Sequence, residues 1–154
     1  MKIVVSVALL LTSSVFAADA LVVGSASANA GQKVTGWIDV PRGVDDGTKI
    51  PVTVVRGAKD GPVLALIAGT HGAEYTAIVA SQRIAAMLDP AAMSGSVILV
   101  HMANPTTFYG RRVYYGPDGK NLNRMYPGDP AGTISQRIAH AITTQVMDPA
   151  THLI

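Results

Sequence analysis

The chain has no cysteine among its 154 residues. That excludes disulfide bonds and thiolate chemistry, so stability has to come from packing or from a bound metal. Glutamate is nearly absent too: Glu74 is the single copy, against nine aspartates. Charge is sparse at 14 %, and the net charge of +2 is spread over scattered lysines and arginines with no basic run beyond Arg111-Arg112. A nucleic-acid partner is excluded on that pattern. Long apolar runs are missing as well. The longest N-terminal one, Ile3 to Leu11, is too short to span a bilayer as a helix.

What the N-terminus does carry is the layout of a secretory signal peptide. Met1-Lys2 gives a positive start, the apolar stretch follows, and small residues come next. Val15-x-Ala17 and Ala18-x-Ala20 both satisfy the cleavage rule. The sequence therefore predicts a signal over residues 1–20, a mature chain over 21–154, and an exported protein, periplasmic or secreted, with no stable membrane anchor after cleavage. The competing reading is an uncleaved anchor or a buried first strand.

With half its residues apolar, the mature part suffices for one domain with a real core. Strands are expected over 34–40 and 50–55, and the apolar runs 63–68 and 96–102 suit strands covered on both faces. Helices are expected over 73–88, with Ile78, Ile84, Ala85 and Leu88 towards one side, and over 134–147. Residues 104–130 read as one long polar loop, and 151–154 as the start of another strand. Strand, helix, strand, loop, helix, strand is the α/β pattern, and a loop of that length belongs in a compact domain when it builds a site.

Two stretches carry chemistry. Residues 69–77 read GTHGAEYTA, where a buried strand hands over to a helix. In α/β sheets ligands bind beyond the carboxyl ends of strands, and there His71 and Glu74 offer an imidazole and a carboxylate, both good zinc donors. The alternative is a glutamate favoured by the helix dipole and a histidine capping a carbonyl. Residues 104–112, NPTTFYGRR, and 116–128, GPDGKNLNRMYPG, put three arginines and three side-chain amides in the long loop. Arginine forks suit carboxylates, although a polar surface loop with Asx turns has the same composition.

Together these stretches resemble the succinylglutamate desuccinylase/aspartoacylase family within the zinc carboxypeptidase superfamily. The family has a G-x-H-G-x-E motif, then N-P…R…D-G-x-N-L-N-R-x-F-P-G, with Tyr126 here in place of its usual Phe. The resemblance runs over about residues 35–154 and takes in the lead-in Val54 to Gly57 and Asp60 to Pro62. It implies a mixed-sheet, three-layer zinc carboxypeptidase-like fold, incomplete at its C-terminus. His71 and Glu74 would be two of three protein ligands to one Zn2+, and Arg112, rather than Arg111, would stabilise the oxyanion. Asn123 and Arg124 would bind the substrate carboxylate, Asp118 would shape a turn, and Asn121 would hold the loop. The implied reaction is amide hydrolysis of an N-acyl amino acid. The alternatives are a metallocarboxypeptidase acting on peptides and a non-catalytic carboxylate-binding module.

The departures from the family pattern are expectations too. The family's third ligand, a histidine in Asp-Leu-His, and its general-base glutamate have no counterpart up to Ile154, so the sequence predicts a shortened form of the enzyme. His101 is expected in the core, His140 on the second helix and His152 short of the ligand position.

Overall fold

The computed structural model describes residues 20–154, so the signal-peptide reading of 1–19 lies outside the described residues. A hairpin of two short strands, β1 (Leu21–Val23) and β2 (Ala26–Ala28), opens the fold. The main sheet follows. It consists of β3 (Gln32–Val40), β4 (Thr48–Arg56), β5 (Lys59–Ile67), β6 (Ser94–Val100) and β7 (His152–Leu153), in spatial order β3-β4-β6-β5-β7. β3, β4 and β6 pair antiparallel, whereas β5 runs parallel to both β6 and β7. The sheet is therefore mixed. Three helices complete it: α1 (Tyr75–Met87), α2 (Pro105–Tyr109) and α3 (Ile134–Ile142), the last continued by a wider turn over Thr143–Met147.

Alternation makes the layers. In β3 Gly36, Ile38 and Val40 are buried and their neighbours exposed, as a strand with one covered face requires. That face, with Val52, Val54, Ile98 and Val100, packs under Ile134, Ile138 and Ile142 of α3 and under Val23 and Ala26 of the hairpin. The opposite face offers Val55, Val97 and Leu99 to Ala85 of α1. Helix, sheet and helix form three layers, with one core on each side of the sheet.

Pro51 sits inside β4 without breaking it. Its partner Trp37 turns its own N–H and C=O outward to Ser25, so no ladder bond is lost there, and pairing with β6 starts only at Val52.

The elements depart from expectation in several ways. β5 begins earlier than predicted, because Lys59 already pairs with Ser94 across a register shift before Val63. Its side chains at Val63, Leu64, Leu66 and Ile67 are half-buried rather than enclosed. α1 buries Ile78, Ser81 and Ala85, one helical stripe, while Ile84 lies off that stripe and is 38 % exposed. The expected loop 104–130 is partly ordered, with α2 starting at an Asn104 cap followed by proline and a short 3-10 turn over Leu122–Arg124.

α3 is heavily tied at its N-terminus. The Asp45 carboxylate accepts the Ile134 N–H at 3.0 Å and pairs with the buried Arg137 guanidinium at 2.7 Å. Asp118 accepts the Ser135 N–H at 3.1 Å and the Thr133 hydroxyl at 2.7 Å. Two carboxylates at the positive end of the helix dipole hold α3 to the 41–47 link and to the long loop.

Candidate metal centre

Because β5 and β6 run parallel, the segments that leave their C-terminal ends meet at the same margin of the sheet. One is 68–74 and the other is 101–130. Backbone bonds join them at once: Ala103 N–H donates to Ala68 O at 2.7 Å and Asn104 N–H to Gly69 O at 3.0 Å. Gly69 takes a left-handed φ of +70° to make the turn. At Gly72 a Cβ would stand 2.4 Å from the Arg112 carbonyl oxygen and 2.6 Å from the Thr107 carbonyl, while the Gly72 N–H donates to Val113 O at 3.1 Å. Glycine there lets the two segments touch backbone to backbone.

On this platform His71 and Glu74 come together. His71 Nδ1 lies 2.8 Å from Glu74 Oε1, and the His71 backbone N–H donates to Oε2 at 3.1 Å. Glu74 stands at the N-cap of α1, one residue before the helix rather than in its first turn, so its carboxylate folds back over the turn. The His71 side chain is 14 % exposed and that of Glu74 42 %, giving a nitrogen and a carboxylate oxygen that converge at a partly open surface. Tyr114 stacks edge-on against the imidazole, with ring centroids 5.1 Å apart. His71 Nε2 is 3.1 Å from Asn121 Oδ1, a contact that sequence reasoning missed, since Asn121 was given only a loop-holding role.

The other predicted residues lie along the second segment. Asn123 and Arg124 form the exposed 3-10 turn after Asn121, where Asn123 N–H donates to Asn121 Oδ1 at 3.0 Å and the Arg124 guanidinium to Asn123 O at 3.1 Å. Arg112 is brought in by its main chain on Gly72. Its guanidinium is exposed, and among the described residues it makes no hydrogen bond or ion pair. Arg111 adopts a left-handed φ of 52° beside it.

Asp118 does more than shape a turn. Burial pushes its carboxyl up, but bonds from Thr133, from the Ser135 hydroxyl and N–H, and from Lys120 N–H outweigh that and hold it below the usual carboxylate range. Tyr126 packs against the core, and burial pushes its phenol up to about 12, so it fills the place of the family's phenylalanine as a neutral ring.

The remaining histidines stay apart from this centre. His101 is buried between the Thr53 hydroxyl at 2.8 Å and the Ser81 hydroxyl at 3.1 Å, and desolvation lowers its pKa. His152 is exposed on β7 opposite Leu64, below the strand end that carries His71. Among the described residues no group of three His, Cys, Asp or Glu side chains is placed to hold a metal ion. The donor types of His71 and Glu74 suit a zinc ion, but they are two of the three protein ligands usual at a catalytic site. A cavity of about 550 Å³ lies elsewhere: it is an open apolar furrow along α1, lined by Tyr75, Val79, Ile84 and Met87.

The chain is similar to known proteins. Residues 60–154 match the succinylglutamate desuccinylase/aspartoacylase catalytic domain. An N-alpha-acetyl-L-2,4-diaminobutyric acid deacetylase of Halomonas elongata is 42 % identical over 107 residues, 68 % of this chain and 30 % of the relative. An aspartoacylase family protein from Mesorhizobium loti superposes with a TM-score of 0.72 at 31 % identity, over 79 % of this chain and 38 % of that one. A metallo-carboxypeptidase from Burkholderia cenocepacia shares the fold alone, with a TM-score of 0.55 at 18 % identity over 77 % of this chain and 34 % of its own. The chain thus spans about a third of the length of these relatives. The domain match takes in both the His71/Glu74 turn and the loop folded onto it, and on that ground the chain belongs to the succinylglutamate desuccinylase/aspartoacylase family.

Proposed function

We propose that residues 71–124 form part of the site of a zinc-dependent deacylase that hydrolyses the amide bond of N-acyl amino acids. The observation that carries this reading is the convergence of His71 Nδ1 and Glu74 Oε1 at 2.8 Å, with the Asn121–Arg124 turn fastened onto the same imidazole. His71 and Glu74 would hold the zinc. When bound, zinc polarises the acyl carbonyl and lowers the pKa of a water. Arg124 and the Asn123 amide would fix the substrate carboxylate. The unpaired, exposed Arg112 is free to turn to the carbonyl oxygen where negative charge develops. The Halomonas relative's name supports an acetylated amino acid as substrate. A peptidase reading has only a fold likeness behind it.

A second reading is favoured by one observation: the described residues offer two metal donors, not three. In that case the same arginines and amides bind a carboxylate ligand without turnover. We also propose export, on the strength of the N-terminal pattern, testable by cell fractionation and N-terminal sequencing of the mature protein. Among the described residues no helix is long and apolar enough to cross a membrane.

The test is zinc content and ligand binding measured together. The purified protein is expected to bind added zinc through His71 and Glu74, and to bind it more weakly in Glu74→Gln. N-acetyl-2,4-diaminobutyrate or N-succinylglutamate is expected to bind in calorimetry and to be released by Arg124→Ala. Binding of these ligands that is indifferent to zinc and to Glu74→Gln selects the non-catalytic module. No binding of either ligand ends both readings.

A further inference from the structure

Aromatic residues are scarce in this chain: one tryptophan, five tyrosines and two phenylalanines. Tyr126 packs against the core. The other four tyrosines, Tyr75, Tyr109, Tyr114 and Tyr115, are each more than half exposed, and all four stand at the start of α1 or on the 101–130 segment. A ring left in water forgoes the burial that stabilises a core. Exposed rings gathered at one margin of the sheet therefore point to a contact with something else.

Three rings form a ladder. Phe108 meets both Tyr75 and Tyr109 edge-on, with centroids 5.8 and 5.3 Å apart and interplanar angles of 75° and 90°. Phe108 is half-buried and well fixed. Its N–H donates to Asn104 O at 3.3 Å, and the carbonyl of the preceding Thr107 would lie 2.6 Å from a Cβ on Gly72. Tyr75 is 58 % exposed and Tyr109 76 %, so the ladder is held at its middle and open at its ends.

Its direction follows from the imidazole. The two ring nitrogens of His71 look different ways. Nδ1 faces Glu74, and Tyr75 is the next residue; Nε2 faces Asn121, and Asn123 and Arg124 follow it. The ladder thus leaves from one edge of His71 and the arginine turn from the other. A trans amide carries its two substituents at opposite ends. With the amino-acid carboxylate at Arg124 and the amide beside His71, the acyl group runs towards the ladder.

We propose that Tyr75, Phe108 and Tyr109 form the acyl subsite and that it takes an aromatic acyl group. This rests on the N-acyl amino acid reading above and names the acyl class. An aromatic acyl group adds one more ring to the ladder and buries area on two tyrosines, whereas an acetyl group has no ring to stack and little area to cover.

The test is calorimetry, with Zn2+ present, using the alpha-N-acetyl, alpha-N-succinyl and alpha-N-phenylacetyl derivatives of 2,4-diaminobutyrate. The proteins are the native chain, Tyr75→Ala, Tyr109→Ala, Tyr75→Phe and Tyr109→Phe. The native chain is expected to bind the phenylacetyl ligand about tenfold more tightly than the acetyl one. That preference is expected to fall towards parity in the alanine variants and to be kept in the phenylalanine variants. Equal affinity for the acetyl and phenylacetyl ligands overturns the proposal. So does a preference for the succinyl ligand, or a phenylacetyl preference that survives both alanine substitutions. N-acetylphenylalanine carries its ring on the amino-acid side. If its binding weakens in the alanine variants and that of the phenylacetyl ligand does not, the ladder holds a side chain and the acyl assignment is overturned. Arg124→Ala separates this proposal from the reading beneath it. Acetyl-ligand binding that needs Arg124 but shows no aromatic preference leaves the deacylase reading standing and the ladder refuted. A tyrosine-dependent phenylacetyl preference that is indifferent to Arg124→Ala refutes the carboxylate role of Arg124 and supports the ladder. No binding of any of these ligands overturns both.

Discussion

Replacing Asp118 by alanine removes four hydrogen bonds at one stroke. The Thr133 hydroxyl donates at 2.7 Å, the Ser135 hydroxyl at 2.8 Å, the Ser135 N–H at 3.1 Å and the Lys120 N–H at 3.2 Å. A hydrogen bond to a charged group is worth about 1.5–3 kcal/mol net, but these share one half-exposed carboxylate, so water competes and the terms do not add. We expect a loss of about 2–3 kcal/mol, which for a domain of this size lowers Tm by about 5–10 °C. The pH dependence has a definite sign. The carboxyl is held below its ordinary value, so the folded state releases its proton more readily than the unfolded chain. Its stabilisation is therefore full above the unfolded value of about 3.9 and is lost as pH falls through the folded one. Thermal melts of the native protein and Asp118→Ala are expected to differ at pH 7 and to converge in strong acid. Equal Tm values at pH 7 refute the reasoning, and so does a gap that stays constant down to about pH 2.

Three further outcomes are expected. His101, whose pKa burial lowers, stays neutral in the fold, so its environment favours folding above the unfolded value of about 6.5 and costs stability as pH falls below it. Urea unfolding of His101→Gln should show a flatter pH profile between about pH 5 and pH 7 than the native protein. Lys33 Nζ donates to the Ala85 and Leu88 carbonyls at the C-terminus of α1, both at 2.8 Å, and Lys33→Met should lower stability by about 1–2 kcal/mol with an unchanged denaturant slope. Arg124→Ala should weaken N-acyl amino acid binding about tenfold to a hundredfold in calorimetry. Its Tm should hold, since the side chain is exposed and its one bond is to the adjacent carbonyl.

The strands were readable because they are β-branched and apolar in runs, and the pair β5 and β6 announced itself by nearly continuous apolar sequence, although β5 is only half-buried. The hairpin Leu21–Ala28 was not, because strands of three residues have too little length for a period to show. α2 was legible in principle: an asparagine followed by proline is a helix-start signature, but it was absorbed into a polar stretch. His71 and Glu74 stood out in the sequence because donor types and position coincide, and the structure brings the two side chains within 2.8 Å. The Asn121 contact joins side chains 50 residues apart, and Asp118 acts on α3 through loop geometry. No spacing rule encodes either, since both depend on where the parallel strands release the chain.

The close approach at Gly72 bears on how substrates reach the site. For residues 107–113 to swing aside, the Gly72–Val113 bond would have to break and two peptide planes in van der Waals contact would have to part. That segment is a fixed wall and not a gate. On the proposed reading, ligands reach Glu74 without displacing residues 107–113. Changing which molecules bind would then mean changing side chains, because the backbone contact at Gly72 leaves no hinge to loosen.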